Sequence, residues 1–144
     1  MKKVYQGTRN PDCHFPPGYN SEYMLGDMTL ADMWDPLIYG GKYLLKDTPY
    51  YKYLEGDKSP MDKYLIDTKG VTWARAAIGQ EHLTVKYMFD MFDKMIDSTE
   101  DYLEPPYEKH YILVRKDGYM IDGLRRACVL LYNGNTSVPV AIVP

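Results

Sequence analysis

An α+β fold, a small mixed sheet with packed helices, is what this sequence predicts, and three observations predict it. Residues 85–96 carry apolar side chains at helical spacing. Residues 111–143 read as strand, tight turn, strand, helix and strand. The first 70 residues are rich in Tyr and Pro and add a separate, weakly periodic stretch. At 144 residues a single domain is expected, large enough to bury a core without disulfides or metal. The expected division is a Tyr/Pro-rich extension over 1–70 packed on a core over 71–144, the whole one compact unit.

Turns are expected at Asn10-Pro11-Asp12, Pro16-Pro17-Gly18 and Asp35-Pro36. Between them the stretch from Met24 to Trp34 predicts one short helix, and the rest of 1–36 an extended arm lying on the domain or on a neighbour. Gly40-Gly41 predicts a turn between two short apolar pieces. Asp47-Thr48-Pro49 opens a helix that runs through Leu54 and stops near Gly56. Ser59 caps the next helix, with Pro60 at its first position and Met61, Tyr64 and Leu65 on one face.

The clearest helix lies within residues 80–98. Val85, Met88, Phe89, Phe92, Met95 and Ile96 form its apolar stripe, and Lys86, Asp90, Asp93, Lys94 and Asp97 a solvated face. Pro105-Pro106 excludes helix. Tyr111 to Val114 reads as a buried strand, and Lys116-Asp117-Gly118 as a type I′ hairpin turn into Tyr119-Met120-Ile121. Leu124 to Tyr132 is a helix with Ala127, Cys128 and Leu131 inward, ended by Asn133-Gly134-Asn135. Val138 to Val143 is the last strand.

Composition narrows the function. The formal charge is −3, which disfavours a general nucleic-acid coat. No apolar run reaches the ~20 residues a membrane span needs, and Met1-Lys2-Lys3 has no apolar stretch behind it, so neither membrane nor secretory leader is expected. Cys13 and Cys128 show no tight spacing, so reduced thiols and a cytoplasmic setting are expected. His14, His82 and His110 show no ligand spacing, and no metal site is expected. Fifteen Tyr is unusual, and it predicts a core that is wet at its edges, an aromatic ligand groove or a partner surface.

One segment carries chemistry. Asp122-Gly123-Leu124-Arg125-Arg126 sits where a strand turns into a helix. Glycine there lets the backbone approach a ligand. The first amides of a helix are unpaired and stand at the positive end of its dipole. Two arginines in that first turn are unfavourable unless an anion offsets them, so phosphate or another oxyanion is the expected guest. The neighbourhood is basic, with Lys109, Arg115, Lys116, Arg125 and Arg126 against Asp117 and Asp122. The plain alternative is that both arginines pair with the acid-rich helix and the residues after it, through Glu104.

The block from Tyr111 to Val143 resembles the ParB/sulfiredoxin-like family. Gly123-Leu124-Arg125-Arg126 has the order of its Gly-x-[His/Arg]-Arg motif, which opens a helix and grips phosphate. The hairpin before it and the strand after it also fit. The form with two arginines is nearer to ParB proteins. Sulfiredoxins carry their catalytic cysteine where this chain has Leu124, so sulfinic-acid reduction is not expected. ParB proteins that act on DNA carry a helix-turn-helix domain after this fold, and none is found before Pro144. The resemblance implies a phosphate pocket made by Gly123, Leu124, Arg125 and Arg126. It allows a nucleoside triphosphate with Mg²⁺, and Asp122, Glu108 and Glu104 are the carboxylates that would orient water, metal or acceptor. The expected partner is a phosphate-bearing small molecule. Nucleic acid is disfavoured, and a homodimer is left open. The alternative is a non-catalytic ligand-sensing or protein-interaction module that keeps the fold.

Overall fold

The structure is a computed structural model that describes residues 2–3, 22–67, 85–98 and 112–143. In chain order its elements are β1 (Lys2–Lys3), β2 (Glu22–Thr29), β3 (Trp34–Asp35), β4 (Tyr43–Leu44), α1 (Pro49–Leu54), α2 (Ser59–Asp67), α3 (Val85–Ser98), β5 (Ile112–Arg115), β6 (Met120–Asp122), α4 (Leu124–Tyr132) and β7 (Ser137–Val143). Five strands form one mixed sheet in the order β1-β2-β7-β5-β6, and β3 pairs with β4 alone. The fold is α+β, as the periodicity predicts.

Strand β7 holds the sheet together. It pairs antiparallel with β2 from Met24↔Ile142 to Thr29↔Ser137, and parallel with β5 from Ile112↔Val140 to Arg115↔Val143. Its alternation is the reason. Val138 and Val140 face the helices with Ile112 and Val114, while Ala141 and Val143 are buried beside them at the alternate positions. The β2 segment corrects one expectation: Met24 to Trp34 is not one helix but strand through Thr29, a single 3₁₀ turn over Leu30–Asp32, and the start of β3. Gly26 disfavours one, and the long-range pairing with β7 overrides the local spacing of Met24, Met28 and Leu30. Residues 22–67 thus supply a strand to the same sheet, and Leu30, Met33, Leu45, Tyr50 and Met61 to the same core.

The helix starts and stops follow local chemistry. Thr48 caps α1 by accepting the Tyr51 N–H at 3.4 Å, with Pro49 at the first position. Met61, Tyr64 and Leu65 are the buried face of α2. Asp57 Oδ1 accepts the Ser59 N–H at 3.2 Å, the accepting role expected of Ser59 itself. Helix α3 buries Phe89 and Phe92 and leaves Asp90, Asp93, Lys94 and Asp97 in solvent. Helix α4 ends in a Schellman motif: Gly134 N–H donates to Leu131 O and Asn135 N–H to Leu130 O, both at 3.0 Å, with Gly134 at φ 98°. Its residues 126–130 are all buried, a wider face than Ala127, Cys128 and Leu131 alone predict.

The β5–β6 hairpin differs from the expected type I′ turn. Gly118 has φ 89° but Asp117 does not have positive φ; Gly118 N–H donates to Arg115 O at 2.9 Å and Arg115 N–H to Tyr119 O at 2.8 Å. Three residues, not two, make the loop, with Gly118 as the left-handed bulge residue. The reason lies in the N-terminal half. Trp34 N–H donates to Gly118 O at 3.0 Å, Trp34 Nε1 to Asp117 O at 3.1 Å, and a Cβ on Gly118 would collide with Asp32 O.

Tyrosine supplies much of the packing between the helices. Rings run in sequence through Tyr39, Tyr64, Tyr50, Phe92, Tyr53 and Phe89, with centroids 5.1 to 6.0 Å apart. Tyr53 lies at a wet edge and donates to Asp93 Oδ1 at 2.6 Å.

Candidate functional site

The β6–α4 junction is built around Gly123. This residue is the helix N-cap at φ 102°, ψ 18°, a left-handed conformation that favours glycine, and no side chain caps the helix. Its carbonyl accepts the first helical bond from Ala127 N–H at 2.9 Å. The amides of Leu124 and Arg125 precede that bond and have no intrahelical partner. A Cβ at 123 would stand 3.1 Å from both Arg126 Nη2 and Ile112 Cγ1, so glycine serves approach as well as conformation.

The two arginines take different environments. The Arg126 side chain is 9% exposed and pairs with Asp122, Nη2 to Oδ2 at 3.7 Å, one turn back along the chain. Arg125 is half-buried, and its Nη1 is sealed from solvent with no hydrogen-bond partner among the described residues. Its charge is felt by Tyr50 of α1 and pulls against the burial that pushes the Tyr50 hydroxyl up to about 12. The twin clamp expected from the motif is thus split. Arg126 braces the turn, and Arg125 holds a buried donor that no described residue answers.

Of the carboxylates expected to assist, Asp122 is half-buried and engaged by Arg126. Glu104 and Glu108 lie outside the described residues, as do Cys13, His14, His82, His110 and Pro105-Pro106. Among the described residues no cluster of three His, Cys, Asp or Glu is placed to hold a metal ion, and no helix is long and apolar enough to cross a membrane. Among residues 120–126 of the junction Asp122 is the one carboxylate.

Cys128 is one turn from Leu124 on α4 and wholly buried. Thr48 Oγ1 donates to Leu45 O at 2.7 Å and lies 3.2 Å from Cys128 Sγ. Burial pushes the thiol up to about 12, so it remains protonated and packs.

Tyr50 of α1 packs edge to face on Tyr64 of α2 at 5.8 Å, a contact with no local signal in the sequence. Asp35 Oδ1 accepts the Leu37 N–H at 2.7 Å, and Leu37 has the unusual φ of 54°. Burial raises the Asp35 carboxyl above its usual range, against that amide, which lowers it. The surplus of tyrosine is the only trace these groups leave in the composition.

The chain matches no family model, no curated protein and no solved structure.

Proposed function

We propose that the β6–α4 junction binds a phosphate-type oxyanion, the phosphate end of a nucleotide or phosphate ester, in a domain of the ParB/sulfiredoxin-like kind. The observation that carries this reading is Arg125 Nη1, buried and without an acceptor among the described residues, at the first turn of a helix with no side-chain cap. A buried donor left unpaired costs about 1–3 kcal/mol, more when it is charged. An oxyanion would meet that donor, the amides of Leu124 and Arg125, and the positive helix end together. The order hairpin, Gly123-Leu124-Arg125-Arg126, helix and strand also supports it.

Within this reading Arg125 is the anion ligand and Arg126 keeps Gly123 and Asp122 in place. Binding without turnover is the form favoured by the described residues, because Asp122 already answers Arg126. That makes the module a ligand sensor first, and Asp122, Glu104 and Glu108 as catalytic groups stay a secondary proposal. Calorimetry with ATP and with inorganic phosphate tests the reading. Arg125→Met is expected to weaken both by at least about tenfold, since one charge-assisted bond contributes about 1.5–3 kcal/mol. Undiminished binding by this variant would end it.

A further inference from the structure

The far end of α4 carries a pair that the anion reading does not use. Asn133-Gly134 stops the helix, both residues are exposed, and a Cβ on Gly134 would meet nothing within 4 Å. Asparagine before glycine is also a reactive pair, because a following residue without a side chain leaves its amide nitrogen open to attack the asparagine carboxamide. The fold holds the two reacting atoms apart. Ring closure needs Asn133 Cβ and the Gly134 nitrogen to eclipse about the Cα–C bond. At ψ 2° the Gly134 nitrogen eclipses the Asn133 nitrogen instead, so tetrahedral geometry keeps Cβ well off that line. The attacking nitrogen is also engaged, since Gly134 N–H donates to Leu131 O at 3.0 Å. Asn135 fixes the exit from the turn: its N–H and its Nδ2 both donate to Leu130 O at 3.0 Å. These bonds lie at an exposed helix end ahead of β7, a place where one turn can open without the rest of the fold.

We propose that Asn133 is a latent deamidation site, closed by the last turn of α4 and reactive whenever that turn opens by itself. The inference stands apart from the anion reading. The Gly134 nitrogen gives up its proton and bonds to Asn133 Cγ, the Cγ–Nδ2 bond breaks, and ammonia leaves with that proton, giving a cyclic succinimide. Water then adds to one ring carbonyl and breaks its bond to the Gly134 nitrogen. Opening at Cγ of the side chain gives isoaspartate or aspartate according to which carbonyl is cleaved: cleavage at Cγ leaves aspartate, and cleavage at the main-chain carbonyl leaves isoaspartate, whose backbone runs through Cγ. No oxidant or reductant is needed, and water is the one co-reactant. Either product places a carboxylate at the negative end of the helix dipole. The iso form also lengthens the chain inside the turn, so conversion weakens the end of α4.

The test is ageing of the full chain at mildly alkaline pH, with peptide mapping by mass spectrometry to follow conversion at position 133. Three samples are compared: native wild type, wild type unfolded in guanidinium chloride, and Asn135→Ala, which loses the Nδ2 bond and keeps the reactive pair. Native wild type is expected to convert at least about tenfold more slowly than the unfolded chain. Native Asn135→Ala is expected to convert about threefold faster than native wild type, and the two unfolded chains at the same rate. Wild type in guanidinium chloride below its unfolding transition is expected to convert faster than in buffer while its circular dichroism stays native, a readout that does not depend on the variant folding. Equal rates in native and unfolded wild type overturn protection by the turn. Absence of conversion in the unfolded chain overturns the site. Conversion that rises only together with global unfolding overturns opening of the turn by itself, as does a native Asn135→Ala rate equal to that of wild type.

Discussion

Arg126 folds back over Gly123 so closely that a Cβ at position 123 would stand 3.1 Å from its Nη2. That contact explains why the turn that seats Arg126 has glycine at position 123. The guanidinium reaches Asp122 at 3.7 Å across the turn, and only a residue without a side chain lets it pass. The same residue opens α4 without a side-chain cap, so the turn that seats Arg126 also presents free amides.

Gly123→Ala is expected to destabilise the protein. It adds a Cβ at φ 102° and crowds Arg126 Nη2 and Ile112 Cγ1, both at 3.1 Å. Strain of this kind costs about 1–3 kcal/mol. Urea unfolding should show the midpoint falling with an unchanged slope. An unchanged midpoint would mean the turn relaxes freely.

The two arginines should separate in stability. Arg126→Met leaves Asp122 beside an apolar side chain. The expected loss is about 2 kcal/mol, below the ~3–5 kcal/mol of a fully buried pair, because Asp122 is 39% exposed. Arg125→Met removes a buried donor that no described residue answers and should be neutral or stabilising. Thermal unfolding of the two variants decides this. A larger loss for Arg125→Met would make Arg125 the brace and Arg126 the spare donor.

Thr48→Val is expected to cost about 1–2 kcal/mol. It removes the α1 cap on Tyr51 N–H and the 2.7 Å bond to Leu45 O while keeping the volume. A melting temperature equal to wild type would show that the hydroxyl contributes nothing.

Alkaline pH should weaken the fold in a defined window. Burial raises Cys128 from 9.0 to about 12 and Tyr50 from 10.0 to about 12. Above pH 9 the unfolded chain releases these protons while the folded chain keeps them. Stability is therefore complete below pH 9 and falls as pH rises toward 12. Cys128→Ala should lower stability at pH 7 yet flatten this fall, as unfolding curves from about pH 8 to 11 would show. In native protein at about pH 8, Cys128 should resist alkylation until denaturant is added, and rapid labelling would refute its burial.

Local chemistry in the sequence is enough for α1, α4 and the apolar face of α2. Thr48-Pro49, Gly123 and Asn133-Gly134 are signals that act within a turn or two of chain. Strand β2 is not legible, because its partner β7 lies more than 100 positions away and nothing near Met24 announces it. The three-residue hairpin loop escapes for a similar reason: Trp34 and Asp32 shape Gly118 from the other half of the chain. At the site the same division holds. Gly123, Arg125 and Arg126 are contiguous and readable, but their split roles are not, since Tyr50 sets the surroundings of one and Asp122 those of the other. Tyr50 and Tyr64 come from two helices and meet only in the fold.

The most direct measurement is a phosphate titration of ¹⁵N-labelled protein followed by amide spectra. Saturable shifts at Leu124 and Arg125, the largest in the chain and abolished by Arg125→Met, are the predicted result. Amides at these two positions that stay still while phosphate reaches tens of millimolar, or that move equally in the variant, would contradict an anion site at this turn.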